Sequence, residues 1–274
     1  DNSLYMGQDP SSTTSTAEYN LSMGATALDA VTTGDYNTAL GYDALSANTT
    51  GTTNTAVGHG TLKHNVEAGA NTAVGDLALR QLKTSTASTY NTAVGRSSQR
   101  GPNNEAQFHT GERNTSVGAG SMKVITTGND NTAVGYWSQY GASITGDFNT
   151  SVGSNSLKNL VSGDKNISVG HEAGDVITSG SNNVIIGTGS DPSASSASNQ
   201  TVIGYNVTGQ ADNSVTLGNA DVTDIYMAQD KGATVHAAGA DLSGSTGLIL
   251  ENDETITNST DGTVLINGTV AGGT

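Results

Sequence analysis

The sequence has no cysteine, three prolines, few aromatics (4% of residues) and few charged residues (13%). Each shortage excludes something. Without Cys there is neither a disulfide framework nor a thiolate metal site. No apolar run approaches the ~20 residues of a membrane-spanning helix, so no membrane insertion is expected. Collagen triplets are absent. Basic residues are the scarcer sign, 10 Lys and Arg against 25 Asp and Glu; the formal charge of −15 argues against a partner bound through a nucleic-acid backbone. An apolar content of 34% is low for an ordinary globule, while the shortage of charge and proline is unlike ordinary disorder. What remains in excess is glycine (36 residues) with Thr, Ser, Asn and Ala, the residues of turns and narrow pleated surfaces. The first residue is Asp1, with no leader peptide behind it, so a piece of a longer, processed protein is expected.

An internal repeat organises the chain. Asn-Thr-Ala-Val-Gly, or a near copy, recurs with its glycine at Gly24, Gly41, Gly58, Gly75, Gly95, Gly118, Gly135, Gly153, Gly170, Gly187 and Gly204, and in weaker form at Gly7 and Gly218. Most steps are 17 residues; the exceptions are 20 (to Gly95), 23 (to Gly118), 18 (to Gly153) and 14 (to Gly218). A fixed period with insertions at one phase predicts a coil of constant strands and one elastic loop. The residue before each glycine is aliphatic or Met, two residues earlier stands Thr or an aliphatic, and Ala or Ser lies between. This period of 2 predicts a short strand with one face inward, and the Val and Thr are expected to share that buried face. A second apolar position follows four residues after the glycine: Leu28, Leu45, Leu62, Leu79, Met122 and Leu157. Asn37, Asn54, Asn71, Asn91 and Asn131, paired with Gly41, Gly58, Gly75, Gly95 and Gly135, mark the corners, where stacked Asn side chains can form a hydrogen-bonded ladder. The expected fold is all-β: a repeat solenoid of about thirteen coils over residues 1–220. Each coil offers about three apolar side chains at roughly 1.5–3 kcal/mol each. Ordering its backbone costs roughly 1–2 kcal/mol per residue. The imbalance points to a closed oligomer whose neighbours cover the Ala/Ser and Leu faces.

The units Gly34–Leu45 and Gly51–Gly58 resemble the "GxxNTAVGxxAL" repeats of phage tail fibres, and are similar to the head repeats of YadA-like trimeric autotransporter adhesins, whose period is shorter. The resemblance covers about residues 1–220. It implies a left-handed parallel β-roll assembled as a homotrimer. Asn213–Tyr226 also looks like tail-fibre sequence, of the kind that leads to an S74 endosialidase-type intramolecular chaperone in that family. A chain ending at a self-cleavage point would fit.

Residues 221–246 leave the period and read as a transition segment. Gly247–Glu251 and Thr263–Asn267 read as strands of a small β stem module over 247–274, with a turn near Asn258–Gly262. Two insertions, Thr84–Thr89 and Arg100–Thr110, are candidate recognition loops on a rigid scaffold, against the plainer reading of tolerated variation. Candidate receptor contacts are Pro102, Asn103 and Phe108 in the second loop, and the aromatic cluster Tyr136, Trp137 and Tyr140, with Phe148 nearby. Such rings suit sugar stacking or packing between chains. The five His are expected to be solvated, and the acidic residues Asp221, Asp224, Asp230, Glu251, Asp253 and Glu254 lack calcium-loop spacing. A Thr column (Thr38, Thr55, Thr72, Thr92, Thr115, Thr132, Thr150) invites an ice-binding reading, set aside because Thr is expected to share the buried face of Val. No nucleophile elbow, phosphate loop or metallohydrolase spacing occurs, so neither catalysis nor a cofactor is expected.

The functional expectation is a non-enzymatic phage tail fibre on the virion. Its expected partners are a host cell-surface glycan or outer-membrane receptor and other tail proteins. A bacterial trimeric autotransporter-like surface adhesin is the alternative; a polysaccharide-degrading spike is a more distant one, since a carboxylate pair need only meet in space.

Overall fold

The computed structural model describes residues 2–7, 16–83, 88–102 and 107–226. Those of the compact unit Asp1–Thr223 form a β-solenoid. Its single sheet has 13 parallel strands in sequence order. They run from β1 (Leu4–Gly7), β2 (Leu21–Gly24) and β3 (Thr38–Leu40) through β8 (Thr132–Val134) to β12 (Gln200–Ile203) and β13 (Ser214–Leu217). The described residues contain no helix. Register stacks like on like: Thr55 on Thr72, Ala56 on Ala73, Val57 on Val74. Both long insertions return the chain to this register, since Val74 pairs with Val94 and Val94 with Val117. The expected transition beyond residue 226 and the stem module at 247–274 lie outside the described residues.

The strands point the opposite way from the expectation. The middle residue of each triplet faces inward: Ala39, Ala56, Ala73, Ala93, Ser116, Ala133 and Ser151 are all 0% exposed. The flanking Thr and Val face out, and Val134 and Val152 are each 37% exposed. The reason is volume. The interior behind the sheet is filled by the second apolar column, Leu28, Leu45, Leu62, Leu79, Met122 and Leu157, all fully buried, and beside Leu only Ala or Ser fits. A period of 2 identifies two faces but does not say which one the chain covers.

The coil closes through left-handed backbone at recurring positions. The repeat glycines hold φ between +127° and +142° from Gly24 to Gly204, and a Cβ on Gly95 would sit 2.7 Å from the backbone of Gly118 one coil on. Glycine is required there twice over, for the dihedral and for the stacking distance. The buried Leu column is also left-handed: Leu28, Leu45, Leu62, Leu79, Met122 and Leu157 have φ of 47° to 53°. A left-handed conformation costs a side-chain-bearing residue roughly 1–2 kcal/mol. Burying the Leu side chain, at about 1.5–3 kcal/mol, offsets that cost.

The Asn corner forms the expected ladder. Asn37 donates its backbone N–H to Asn20 Oδ1 (2.8 Å), and Asn54 donates to Asn37 Oδ1 (3.0 Å). The same link recurs through Asn114, Asn131, Asn149, Asn166 and Asn183. Most amide groups reach forward as well: Asn37 Nδ2 donates to the Gly51 carbonyl at 2.9 Å and Asn131 Nδ2 to Gly146 at 2.8 Å, while Asn71 Nδ2 turns back to Gly69 at 2.9 Å. These side chains are buried yet partnered, so they hold the corner without the penalty of orphaned polar groups.

The apolar interior is not continuous. It falls into three clusters, Ala17–Ala93, Met122–Ile144 and Leu157–Val207. The breaks fall where Gln99 and Gln139 take the Leu position. Both are fully buried and left-handed, and the Oε1 of each lacks a partner.

Candidate interaction surfaces

The exposed side of the sheet carries a column of exposed apolar residues. The position before the repeat glycine presents Met6, Met23, Leu40, Val117, Val134, Val152, Val169, Ile186, Ile203 and Leu217, all exposed, with Val57, Val74 and Val94 half-buried between them. The partner column is Thr in the middle coils and aliphatic near both ends (Leu4, Leu21, Ile167, Val215). Exposed rings border the strip on both sides. One border, the residue before the corner Asn, carries Tyr19, Tyr36, Tyr90 and Phe148; the other, just past the glycine, carries Tyr42, Tyr136 and Tyr205. Tyr19 and Tyr36 stack at 5.0 Å between ring centroids and 6° between planes. The Thr column therefore does share a face with Val, as expected, but the face is open in the single chain.

The predicted aromatic cluster is real in part. Tyr136 and Trp137 stack at 4.7 Å and 19°, and Trp137 and Tyr140 lie 5.1 Å apart at 39°. The indole has room because Gly120 lies beneath it, where a Cβ would meet the ring at 2.6 Å. Lysines border the cluster: Lys158 Nζ is 5.5 Å from the Trp137 ring centre, and Lys123 Nζ is 5.4 Å from that of Tyr140 and 3.3 Å from its hydroxyl. Phe148 belongs to the opposite border of the sheet and not to this cluster.

The second insertion divides its candidate contacts. Pro102 is buried, which corrects its reading as an accessible contact; Phe108 is half-buried and Asn103 lies outside the described residues. Lys83 Nζ sits 4.5 Å over the Phe108 ring, and His64 meets that ring edge-on at 6.4 Å. In the first insertion, Thr89 is buried and donates to Asn71 Oδ1 at 2.6 Å, so the loop end completes the ladder.

The histidines are not all solvated. His109 is 0% exposed and pairs in parallel with Leu82. Its Nδ1 accepts the Gly111 N–H at 3.2 Å, and its Nε2 is buried without a partner. Burial pushes its pKa down to about 4, with the Thr126 carbonyl pulling weakly the other way. His59 stacks 5.7 Å from Tyr42 and meets Asp76 at 2.7 Å, both at the surface.

Several carboxylates are perturbed, some by one another. Asp191 is raised to about 6, first by burial, with the negative charges of Asp175 and Glu172 adding to it. Burial pushes Asp43 up, but hydrogen bonds from Lys63 (2.6 Å) and Thr26 outweigh it and hold the group below its ordinary range. Among the described residues no group of three or more His, Asp or Glu is placed to hold a metal ion. A shallow recess of about 470 Å³ at the last coils is lined by neutral groups, among them Asn206, Val207, Gln210 and Thr216. No helix among the described residues is long and apolar enough to cross a membrane.

No family model, no curated protein and no solved structure matches the chain.

Proposed function

We propose that the protein is a non-enzymatic attachment rod of the phage tail-fibre type, a homotrimer that presents a receptor-binding surface to a bacterial cell envelope. The carrying observation is the open sheet face. Thirteen strands at ~4.8 Å with two outward columns give a strip on the order of 700 Å² per chain. That is comparable to what one partner contributes to a stable interface. The occupant that fits best is another copy, because only an array with the same rise meets these columns rung for rung. The bordering tyrosines and Phe148 would close the edges of such an assembly, as aromatics do at chain interfaces.

The Thr–Val array is also the specific observation behind a second reading, a flat water-ordering face on a single chain. The methionines and leucines at Met6, Met23 and Leu40 break its regularity and favour self-association.

Sedimentation equilibrium separates the two. A mass three times that of the chain is expected at micromolar concentration, and Val134→Asp with Val152→Asp should shift it toward monomer. A folded monomer at all concentrations would sink the trimer. Adsorption of labelled protein to a panel of bacterial cells tests the attachment role, and complete indifference to envelopes would overturn it.

A further inference from the structure

Five of the ten Lys and Arg residues of this acidic chain occupy a single column. Lys63, Arg80, Arg100, Lys123 and Lys158 each stand five residues after a repeat glycine, on coils that follow one another, and Tyr140 fills the one intervening rung. The backbone keeps them in step across both insertions: the Arg80 carbonyl accepts from His64 N–H at 3.1 Å, that of Arg100 from Gln81 at 2.9 Å, and that of Lys123 from Gly101 at 3.0 Å. The same column carries Asp29 and Ser46 before the stripe and Asp175 after it, so the cations are confined to adjacent coils.

Such a stripe is not what the fold alone would select. Like charges one rung apart repel, and the pKa of the Arg100 guanidinium is pulled down, first by burial and then by Arg80. Lys63 is answered by Asp43 at 2.6 Å, which anchors one end. Rings are interleaved with the charges. Tyr140 lies in the column, Trp137 lies under Lys158, and Phe108 lies under Lys83 beside His64. None of these residues is on the strands of the sheet, and the stripe meets the face assigned above to self-association only where Trp137 stacks on Tyr136 at its border.

We infer that this stripe binds a linear anionic polysaccharide laid along the coil axis. Guanidinium and ammonium groups pair with carboxylate or sulfate substituents, and the flat rings of Trp137 and Tyr140 take the C–H face of a pyranose. An extended pyranose chain advances by about one rung per sugar, so successive residues meet successive coils. The net charge of −15 repels a polyanion from the rest of the chain and confines it to this line. The inference rests on the attachment reading for its setting, since it names the receptor chemistry that an attachment rod would use.

Trp137 is the only tryptophan, so its fluorescence reports directly on the site. The intact chain is titrated with oligogalacturonate, dextran sulfate, neutral dextran and a single-stranded oligonucleotide, at low and moderate salt. Saturable quenching or enhancement by oligogalacturonate or dextran sulfate is expected, weakening at least tenfold between 50 and 300 mM salt. The double variant Arg100→Gln, Lys123→Gln should lose at least tenfold in affinity with unchanged sedimentation and melting. Lys165→Gln, a cation outside the stripe, should bind like the parent. Absence of binding to both anionic glycans, equal affinity for neutral dextran, preference for the oligonucleotide, or an equal loss in Lys165→Gln would each overturn the inference. If the anionic glycans fail while labelled protein still adsorbs to cells, only the stripe is wrong. If they bind while every envelope is ignored, the attachment role is what fails.

Discussion

Two aliphatic columns follow the coils of the solenoid, the Leu column with breaks such as Gln99 and Gln139, and they have opposite fates. The Leu column is fully buried on left-handed backbone; the Val column is exposed on relaxed extended backbone. Backbone comfort and side-chain burial are thus uncoupled. The position with the less favourable dihedral carries the core, because its Cβ points into the coil and burial of four carbons outweighs the strain. The Val column, where backbone and β propensity agree, contributes little to burial within the single chain.

Replacements at matched positions separate the two columns most sharply. Leu62→Ala should destabilise the chain by about 2–5 kcal/mol in urea or thermal unfolding, as expected for a cavity in a packed core. A loss below 1 kcal/mol would mean that the core collapses around the gap.

His109 provides a second core contrast, with a pH axis. Its folded pKa of about 4 lies below the unfolded value of 6.5, so the unfolded chain binds more protons between these limits. Its contribution is complete above pH 6.5 and is lost as pH falls through that window toward 4, by about 3 kcal/mol at most. Asp191 acts in the reverse sense, since its folded pKa of about 6 exceeds 3.8 and stability declines as pH rises between them. His109→Gln should therefore remove the acid-side loss and leave the slope due to Asp191, measured as melting temperature against pH. An unchanged profile would show that His109 is not the titrating group.

Gln139→Leu restores the aliphatic column where it is interrupted. The Gln makes only one long bond, Nε2 to Asn131 Oδ1 at 3.3 Å, and its Oε1 is orphaned. A gain of about 1–2 kcal/mol is expected from removing the unsatisfied group and adding apolar burial. Destabilisation would mean that the amide has a partner in solution.

The smallest effect belongs to the exposed column. Val134→Thr should change the unfolding free energy of the dissociated chain by less than ~0.5 kcal/mol. The same replacement at Val57, Val94 and Val134 together should weaken self-association in a dilution series. A large effect on the dissociated chain would contradict the outward placement.

Much of this architecture is legible in the residues themselves. The stacking of Asn37 on Asn54 and the register across both insertions follow from the period, because a ladder repeated once per coil admits few other arrangements. The inward side of the strand is not legible. Alternation of Thr, Ala and Val is symmetric until the Leu column is placed, and that column sits on left-handed backbone which no propensity assigns to leucine. His109 was hidden for a related reason: its burial depends on the insertion folding back to pair with Leu82. The aromatic cluster was visible as Tyr136, Trp137 and Tyr140, yet Phe148 is placed elsewhere because nearness in sequence crosses a corner of the coil.

The Asn ladder also gives the chain a temporal order. Along most of the ladder each amide oxygen is answered by the N–H of the following coil and each amide nitrogen by a carbonyl shortly before that N–H, as Asn37 is by Asn54 and Gly51, so a coil is finished only by its successor. As the polypeptide emerges from a ribosome, its newest coil always carries unanswered buried groups, and the deficit passes forward until a terminator relieves it. Gln200 closes the Asn ladder: its N–H answers Asn183 at 3.0 Å, and its own amide nitrogen donates to Ser193 at 2.6 Å and to Asp212 at 3.2 Å. The last Asn rung is thus answered one strand before the final strand of the sheet, Ser214–Leu217, which pairs with Gln200–Ile203 without a ladder of its own.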